Sequence, residues 1–415
     1  MKILSLLNVS NAESLLADSG FVFQKLLLEA LASRGHEVLL LAPAEAARFT
    51  SVEIAPVPVA ASKYHARLRL DFDCASVASH WWTAPDLVLL CNQPELALQL
   101  KGYSFLAARR EVPLVSYVHY LPFWEEPIGA GIELDTSLSG GGLGPWIKAA
   151  VGMAVSLSEA CIVGSEYGRR LIEAAYGPQS TLSVIPPPIE PELRRLVDRM
   201  PMGDGVRILY NHRIYSHYGT AELFQSLDRV IKQAARQVTV LVTAPTQHRS
   251  ELRRALDVSS DQTFARVREY PFVELIETPT REAYWELVEQ SHFGVAPARR
   301  SPLWSMAMAD LLGAGRPVVS LPVGGYPEVL GESSANHCCK SEEFERALAN
   351  LITAPPLPNT RISDDAWSRL SPASIAERFE RVLAAALDRN SAIDTGASEP
   401  LWQCPSAEKA QHVRG

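Results

Sequence analysis

Arg213 lies in the segment YNHRIYSHYG, residues 210–219, directly after an apolar run that predicts a β-strand. A guanidinium at the end of a strand is suited to bind a diphosphate through two parallel hydrogen bonds. His212 and His217 are alternative ligands in the same segment. An exposed arginine also commonly forms an ordinary ion pair, so the segment by itself leaves both interpretations open.

Gly324 and Gly325, followed by Tyr326, occupy a predicted strand-to-helix turn in the segment GAGRPVVSLPVGGYPEVLG. Glycines allow backbone N–H groups to approach a phosphate or sugar oxygen, and the following helix N-terminus favours an anion. A tight turn alone also explains the pair. Asp310 precedes this segment, and a carboxylate there is suited to accept hydrogen bonds from a ribose diol. A solvated helix residue is the alternative for Asp310.

His119 follows another predicted strand, in the segment SYVHYLPFWEEP, residues 116–127. A histidine among aromatic side chains is commonly a core residue, whereas a position at the carboxyl end of a strand favours a ligand site. Tyr120 and Trp124 are its aromatic neighbours. Their rings suit either a hydrophobic core or a platform on which a base or sugar stacks.

The elements that must position these residues alternate between strand and helix. Continuous apolar runs, typical of parallel strands buried on both faces, are MKILSLLNV, EVLLLAP, DLVLLC, PLVSYVHY, EACIVGS and LSVIPPPI. Between the first two runs, apolar residues recur at helical spacing and end at Gly35, a C-cap glycine. The alternation restarts with VRILYNHR after the linker-like segment 198–205.

This repeated alternation predicts an α/β protein with two facing Rossmann-like, doubly wound domains and a cleft between them. We expect an N-terminal domain over residues 1–197, a C-terminal domain over 206–371, a terminal helix over 372–390 and a disordered tail over 391–415. Ligands of such sheets bind at the carboxyl ends of the strands, where several of the candidate residues lie.

The bulk composition is that of an ordinary globular protein, with 47% hydrophobic and 21% charged residues. A net charge of −8 argues against general coating of nucleic acid but leaves room for a local basic patch. The six cysteines lack the usual zinc-ligand spacing, so we expect reduced thiols and a cytoplasmic location, with metal binding at Cys338 and Cys339 as the minor alternative. The first residues predict a strand rather than a signal peptide, and no apolar run is long enough to span a membrane.

Taken together, these segments resemble a GT-B glycosyltransferase of the large retaining group called family 4. The resemblance covers nearly the whole chain and is strongest over residues 205–330. It rests on RGHEV, IVGSEYGRRLI, SVIPPPIEP, NHR and GAGRPVVSLPVGGYPEVL, which occur in the family's order. Within the group, ILYNHR and REAYWELVEQSHFGVAPA are most similar to the enzymes that mannosylate queuosine in tRNA, to which phage enzymes that decorate modified DNA bases are related.

The resemblance implies that a UDP- or GDP-sugar donor binds mainly to the C-terminal domain. The donor-binding residues would be Gly20, His212, His217, Gly324, Gly325 and Tyr326. The catalytic group would be His119, Arg213 and Asp310, with neither a metal ion nor another cofactor required. His119 matches the residue that lies beside the transferred sugar, and Asp310 matches the acid that holds the ribose.

The sequence departs from the family in two places. Pro302 stands where an acid contacts the donor sugar, and Tyr218 stands where a lysine contacts the diphosphate. We expect Arg299 and Arg300, which precede Pro302, to supply the missing positive charge of the donor site.

The resemblance further implies retaining transfer of a hexose to an acceptor hydroxyl, in which the leaving phosphate takes the acceptor proton. We expect a modified nucleobase of DNA or tRNA as the acceptor, held by Tyr120, Trp124 and Arg67. A lipid or polysaccharide intermediate is the second candidate acceptor. A non-catalytic GT-B partner protein and an epimerase acting on nucleotide sugars are the remaining alternatives.

Overall fold

The computed structural model describes residues 1–10, 15, 18–46, 49–121, 123–125, 132–134, 143–201, 205–214, 218–243, 258–278, 280–297, 302–331, 337–338 and 341–395. Its strands are β1 Lys2–Leu6, β2 Glu37–Ala42, β3 Glu53–Pro56, β4 Leu87–Cys91, β5 Leu114–Val118, β6 Phe123–Glu125, β7 Ile132–Leu134, β8 Ala160–Val163, β9 Leu182–Val184, β10 Val206–Tyr210, β11 Val238–Thr243, β12 Val273–Ile276, β13 Phe293–Val295, β14 Val318–Ser320 and β15 His337–Cys338.

Its α-helices are α1 Ser19–Ser33, α2 Lys63–Leu68, α3 Ser79–Trp82, α4 Ala97–Ala108, α5 Leu143–Leu157, α6 Glu166–Tyr176, α7 Thr220–Ile231, α8 Val258–Glu269, α9 Arg281–Gln290, α10 Met306–Gly313, α11 Tyr326–Leu330, α12 Ser341–Thr353, α13 Thr360–Leu370 and α14 Pro372–Thr395. Short 3-10 turns cover Ala44–Ala46, Cys74–Ser76, Pro94–Leu96 and Pro191–Leu196.

Two parallel sheets organise the chain. The first has the strand order β3-β2-β1-β4-β5-β8-β9, and the second has the order β12-β11-β10-β13-β14-β15. The direction of winding reverses between β1 and β4 in the first sheet and between β10 and β13 in the second. Such reversal points open the crevice in which doubly wound sheets bind ligands, so they define where a site should lie.

The sequence pattern of the central strands follows from their burial. Every residue of β4 and β5 is buried, as are all residues of β13 and β14. Both faces of each sheet are therefore covered at these central strands, which leaves them without the alternating polar residues of a half-exposed sheet. This confirms the predicted α/β class with doubly wound sheets.

The terminal helix α14 returns to the first sheet. Its residues Ile375, Phe379 and Leu383 share one buried cluster with Ile3 and Leu28. The sequence predicts this helix without indicating its packing partner. It also extends to Thr395, past the end expected at residue 390.

Several elements are absent from the sequence prediction, among them β3, β15, the antiparallel β6–β7 pair and the helices α4, α8 and α13. The sequence pattern predicts a helix over residues 303–314, but α10 begins at Met306, because the Ser305 hydroxyl caps it by accepting a hydrogen bond from the Met308 amide at 3.2 Å. The sequence pattern also predicts a helix over residues 248–257, and this segment lies outside the described residues.

Candidate active site

Arg213 and Asp18 meet across the crevice between the two sheets. Arg213 follows β10 in the second sheet, and Asp18 precedes α1 in the first. Their guanidinium and carboxylate lie 3.8 Å apart, with about half of each side chain exposed. The sequence suggests either a phosphate ligand or an ion pair for Arg213 and does not name Asp18 as its partner. The structure places both at one point on the crevice.

Asp18 also caps α1. Its Oδ1 accepts hydrogen bonds from the amides of Gly20 at 2.9 Å and Phe21 at 3.1 Å. The predicted donor residue Gly20 therefore lies at the crevice with its amide bonded to Asp18. A polar residue just before an apolar helix is a recognised N-cap signal, which could have identified Asp18 from the sequence.

His119 lies one residue past β5, where the charges of Asp18 and Arg213 both act on it. Its ring is stacked near Phe23, with centroids 6.1 Å apart, and near Tyr117 at 6.2 Å. Burial lowers the pKa of His119, with Asp18 opposing this effect and Arg67 and Arg213 adding to it. A neutral imidazole at neutral pH is able to donate one hydrogen bond and accept another at a sugar hydroxyl.

The end of β10 carries two buried polar atoms that lack a hydrogen-bond partner in the described structure. They are Asn211 Oδ1 and His212 Nε2. Burial alone lowers the pKa of His212 to about 4, so its ring is neutral at neutral pH. Buried polar atoms without partners are uncommon and point to a missing ligand or water. The sequence identified His212 but not Asn211.

Asp310, which lies on α10, belongs to a buried network of polar and charged side chains. Its Oδ2 accepts a hydrogen bond from the Tyr284 hydroxyl at 2.9 Å and lies 3.7 Å from the Arg281 guanidinium. Arg281 makes a bidentate pair with Glu190, with distances of 2.5–3.1 Å. Burial raises the pKa of Asp310 to about 7, against the opposing effect of Arg281. The sequence identified only Asp310 in this network.

An Asp310→Asn variant is expected to change how stability depends on pH. The pKa of Asp310 is raised on folding from 3.8 to about 7, so the folded state holds this proton more tightly than the unfolded state does. Wild-type stability should therefore fall as the pH rises between these two values, and the variant should lack this contribution. Urea denaturation of both proteins from mildly acidic to neutral pH tests this, and parallel curves would contradict it.

The turn at Gly324 and Gly325 packs against the segment that carries Pro302. Gly324 adopts a left-handed φ of 55°, which favours glycine. The Gly325 amide donates to the Pro302 carbonyl at 2.8 Å. Tyr326 is buried, and its hydroxyl donates to the Pro297 carbonyl at 3.0 Å. The Gly325 amide and the Tyr326 hydroxyl thus have partners within the protein, and their role toward a donor stays a prediction.

The same segment joins the two halves of the chain. Leu303 is buried in a cluster with Val118, Val163 and Tyr167 of the first half. Glu328, on α11, accepts hydrogen bonds at the N-terminus of α6, from the Glu166 amide at 2.6 Å and the Tyr167 amide at 2.8 Å. A carboxylate at a helix N-terminus is favourable because the amides and the helix dipole both attract it.

Among the residues predicted to bind the acceptor, Arg67 and Tyr120 lie together. The guanidinium carbon of Arg67 lies 5.0 Å from the centre of the Tyr120 ring, and its Nε lies 3.6 Å from Glu95. Trp124 is part of β6, but its side chain lies outside the described part of the structure. Trp81 and Trp82 are buried core residues.

Three further predicted residues, His217, Arg299 and Arg300, lie outside the described residues, so their assignments stay predictions. Within the described stretches, no group of three histidine, cysteine or acidic residues is placed to hold a metal ion. Among the helices of those same stretches, none has the length and apolar character that crossing a membrane requires.

Comparison with known proteins identifies the fold. Residues 23–193 match the family model described as Glycosyltransferase Family 4. HepE from Anabaena, solved in complex with UDP-glucose, is 17% identical with a TM-score of 0.61, over 93% of this chain and 100% of that chain. Sucrose-phosphate synthase from Thermosynechococcus elongatus is 12% identical with a TM-score of 0.65, over 94% and 100%.

A glycosyltransferase from Rickettsia africae is 10% identical with a TM-score of 0.61, over 93% of this chain and 98% of that chain. These likenesses over nearly whole chains confirm the predicted two-domain GT-B fold. No curated protein matches the sequence. The predicted likeness to enzymes that modify nucleobases stays a prediction.

Proposed function

We propose that this protein is a retaining glycosyltransferase that moves a hexose from a nucleoside diphosphate sugar to an acceptor hydroxyl. The family match over residues 23–193 and the fold shared with UDP-glucose-bound HepE support the class of reaction. The observation that carries the proposal is the contact between Arg213, which follows β10, and Asp18, which precedes α1, with His119 near enough for both charges to act on its pKa. A donor bound at the second sheet and an acceptor bound at the first would bring their reacting atoms together at this contact.

In the proposed reaction, the bond between the anomeric carbon and the diphosphate oxygen breaks. The acceptor oxygen bonds to that carbon from the same face, and its proton passes to the departing diphosphate. Arg213 stabilises the negative charge that develops on the diphosphate, exchanging its contact with Asp18 for phosphate oxygens. His119, held neutral, hydrogen-bonds a sugar hydroxyl and fixes the orientation of the ring.

An Arg213→Ala variant is expected to weaken binding of the cognate nucleoside diphosphate and to lower turnover by about 10²–10³-fold, the usual cost of losing a group that stabilises developing charge. The cognate donor is found first by thermal-shift screening of UDP-, GDP-, ADP- and dTDP-sugars with the wild type. Turnover is then measured as slow hydrolysis of that donor.

The matched control is Arg229→Ala, which removes an exposed arginine paired with Glu345. This variant should behave as the wild type. Equal turnover in the Arg213→Ala variant would contradict the role of Arg213. Absence of stabilisation and hydrolysis with every donor would instead favour the non-catalytic alternative, which the replacement of an acid by Pro302 makes worth testing.

For the acceptor, we propose a modified nucleobase, with a lipid or polysaccharide intermediate as the alternative. Arg67 beside the Tyr120 ring supports a site that combines charge with stacking. The ion pairs of Arg67 with Glu95 and of Arg69 with Asp71 reduce the positive charge of this surface, which limits affinity for a nucleic-acid backbone. Transfer of labelled sugar to tRNA, DNA or a lipid extract distinguishes these acceptors.

A further inference from the structure

The network around Asp310 joins three separate parts of the chain. Tyr284 and Arg281 come from α9, Asp310 comes from α10, and Glu190 precedes the 3-10 turn between the two halves. The Arg281 guanidinium also lies over the Tyr284 ring, 4.4 Å from its centre. Such a set fixes each side chain by at least two contacts.

Glu190 acts on the network by fixing Arg281. It binds Arg281 in a bidentate manner and accepts a further hydrogen bond from the Trp285 indole at 2.7 Å. With its guanidinium held in this way, Arg281 has little freedom to move away from Asp310. The pair therefore provides a fixed positive charge beside the Asp310 carboxylate.

The contacts that hold Asp310 leave one of its oxygens available. Within the described structure, the Tyr284 hydroxyl and the Arg281 guanidinium both contact Oδ2. The Tyr284 hydroxyl in turn accepts from Asn211 Nδ2 at 2.8 Å, and Asn211 Oδ1 is the buried atom without a partner at the end of β10. A polar ligand group beside this network would have Asp310 Oδ1 and Asn211 Oδ1 as acceptors.

We infer that Tyr284 and Arg281 are positioning residues for ribose recognition: they hold the Asp310 carboxylate by Oδ2 and direct Oδ1 to the ribose hydroxyls of a nucleoside diphosphate. Two adjacent hydroxyl donors match an arrangement of two acceptor oxygens. This inference rests on the proposed function, since it assumes that the donor nucleotide binds at this edge of the second sheet.

The test is a comparison of ribonucleoside diphosphates with their 2′-deoxy forms, by calorimetry on the full chain. The wild type should bind the cognate ribonucleotide roughly tenfold or more tightly than its deoxy form, the usual range for one hydrogen bond to a charged group. In a Tyr284→Phe variant, ribonucleotide affinity should fall while deoxynucleotide affinity stays nearly constant. The ratio of the two affinities should therefore approach one.

The matched control is Tyr176→Phe, which also removes a tyrosine hydroxyl, bonded to the Lys148 carbonyl at 2.7 Å, but does so in the first half of the chain. Its ratio should equal that of the wild type. If Tyr284→Phe weakens both nucleotides equally, Tyr284 is only structural and the inference is wrong.

A wild type that binds both nucleotides equally also overturns the inference while leaving the proposed function intact. A wild type that binds no nucleoside diphosphate overturns the proposed function and the inference together.

Discussion

Replacing Arg281 with methionine is expected to lower the free energy of unfolding by about 3–5 kcal/mol, the usual cost of removing one partner of a buried ion pair. Arg281 is the cation between two buried carboxylates, and the side chains of Glu190 and Asp310 are only 9% and 8% exposed. Without it, these two buried acidic side chains lose the cation that lies between them. Urea denaturation near neutral pH measures the loss.

Two comparisons make this prediction specific. An Arg346→Met variant removes an exposed arginine that pairs with Glu343 three residues away, and it should change stability by only about 0.5 kcal/mol. The loss caused by Arg281→Met should also shrink at acidic pH, because burial raises the pKa of Asp310 to about 7 and its protonation removes one of the two buried negative charges. A loss that does not depend on pH would mean that packing of the guanidinium, rather than its charge, matters.

A Gly325→Ala variant is expected to displace the segment that carries Pro302. A Cβ atom at Gly325 would lie 2.1 Å from the Leu303 carbonyl oxygen and 2.9 Å from its carbon, so backbone must move. The displacement should break the hydrogen bond from the Gly325 amide to Pro302 and loosen Leu303 in its cluster. Overpacking of this kind costs about 1–3 kcal/mol.

The matched control for this variant is Gly102→Ala in α4, where an added Cβ meets nothing within 4 Å. This substitution should stabilise the protein by roughly 0.5–1 kcal/mol, because glycine is a weaker helix former than alanine. Thermal unfolding of the two variants and the wild type tests both the predicted loss of stability in Gly325→Ala and the predicted gain in Gly102→Ala. A Gly325→Ala protein as stable as the wild type would show that the segment is not fixed by this contact.

The sequence predicted the central strands of both sheets well. Runs such as DLVLLC and VTVLVT are apolar throughout because helices cover both faces, and this pattern is visible without a structure. Two edge strands were missed. β3 is short and only partly buried, and β15 is only two residues long. Their formation depends on a neighbouring strand that the local sequence does not specify.

The candidate site was predicted in part. His119 and Arg213 could be proposed from the sequence because each follows a strand, and ligands of doubly wound sheets bind at the carboxyl ends of the strands. Tyr284 and Arg281 were missed, since a tyrosine or arginine in an amphipathic helix carries no local signal of a network. Asn211 was missed although it directly follows β10. The sequence also did not show that the Pro302 carbonyl accepts a hydrogen bond from the Gly325 amide. Nothing in this segment indicates that the neighbouring Leu303 packs against the first half of the chain.

By itself, the sequence determined the alternation of strands and helices, the restart of that alternation near residue 206, and the position of residues at strand ends. These features follow from hydrophobic periodicity and turn chemistry, which act over a few residues. Only the tertiary structure decided that Glu190 meets Arg281, 91 residues away, and that Glu328 caps α6, 162 residues from Glu166. Contacts of this separation are set by the packing of whole elements, and the local sequence does not encode them.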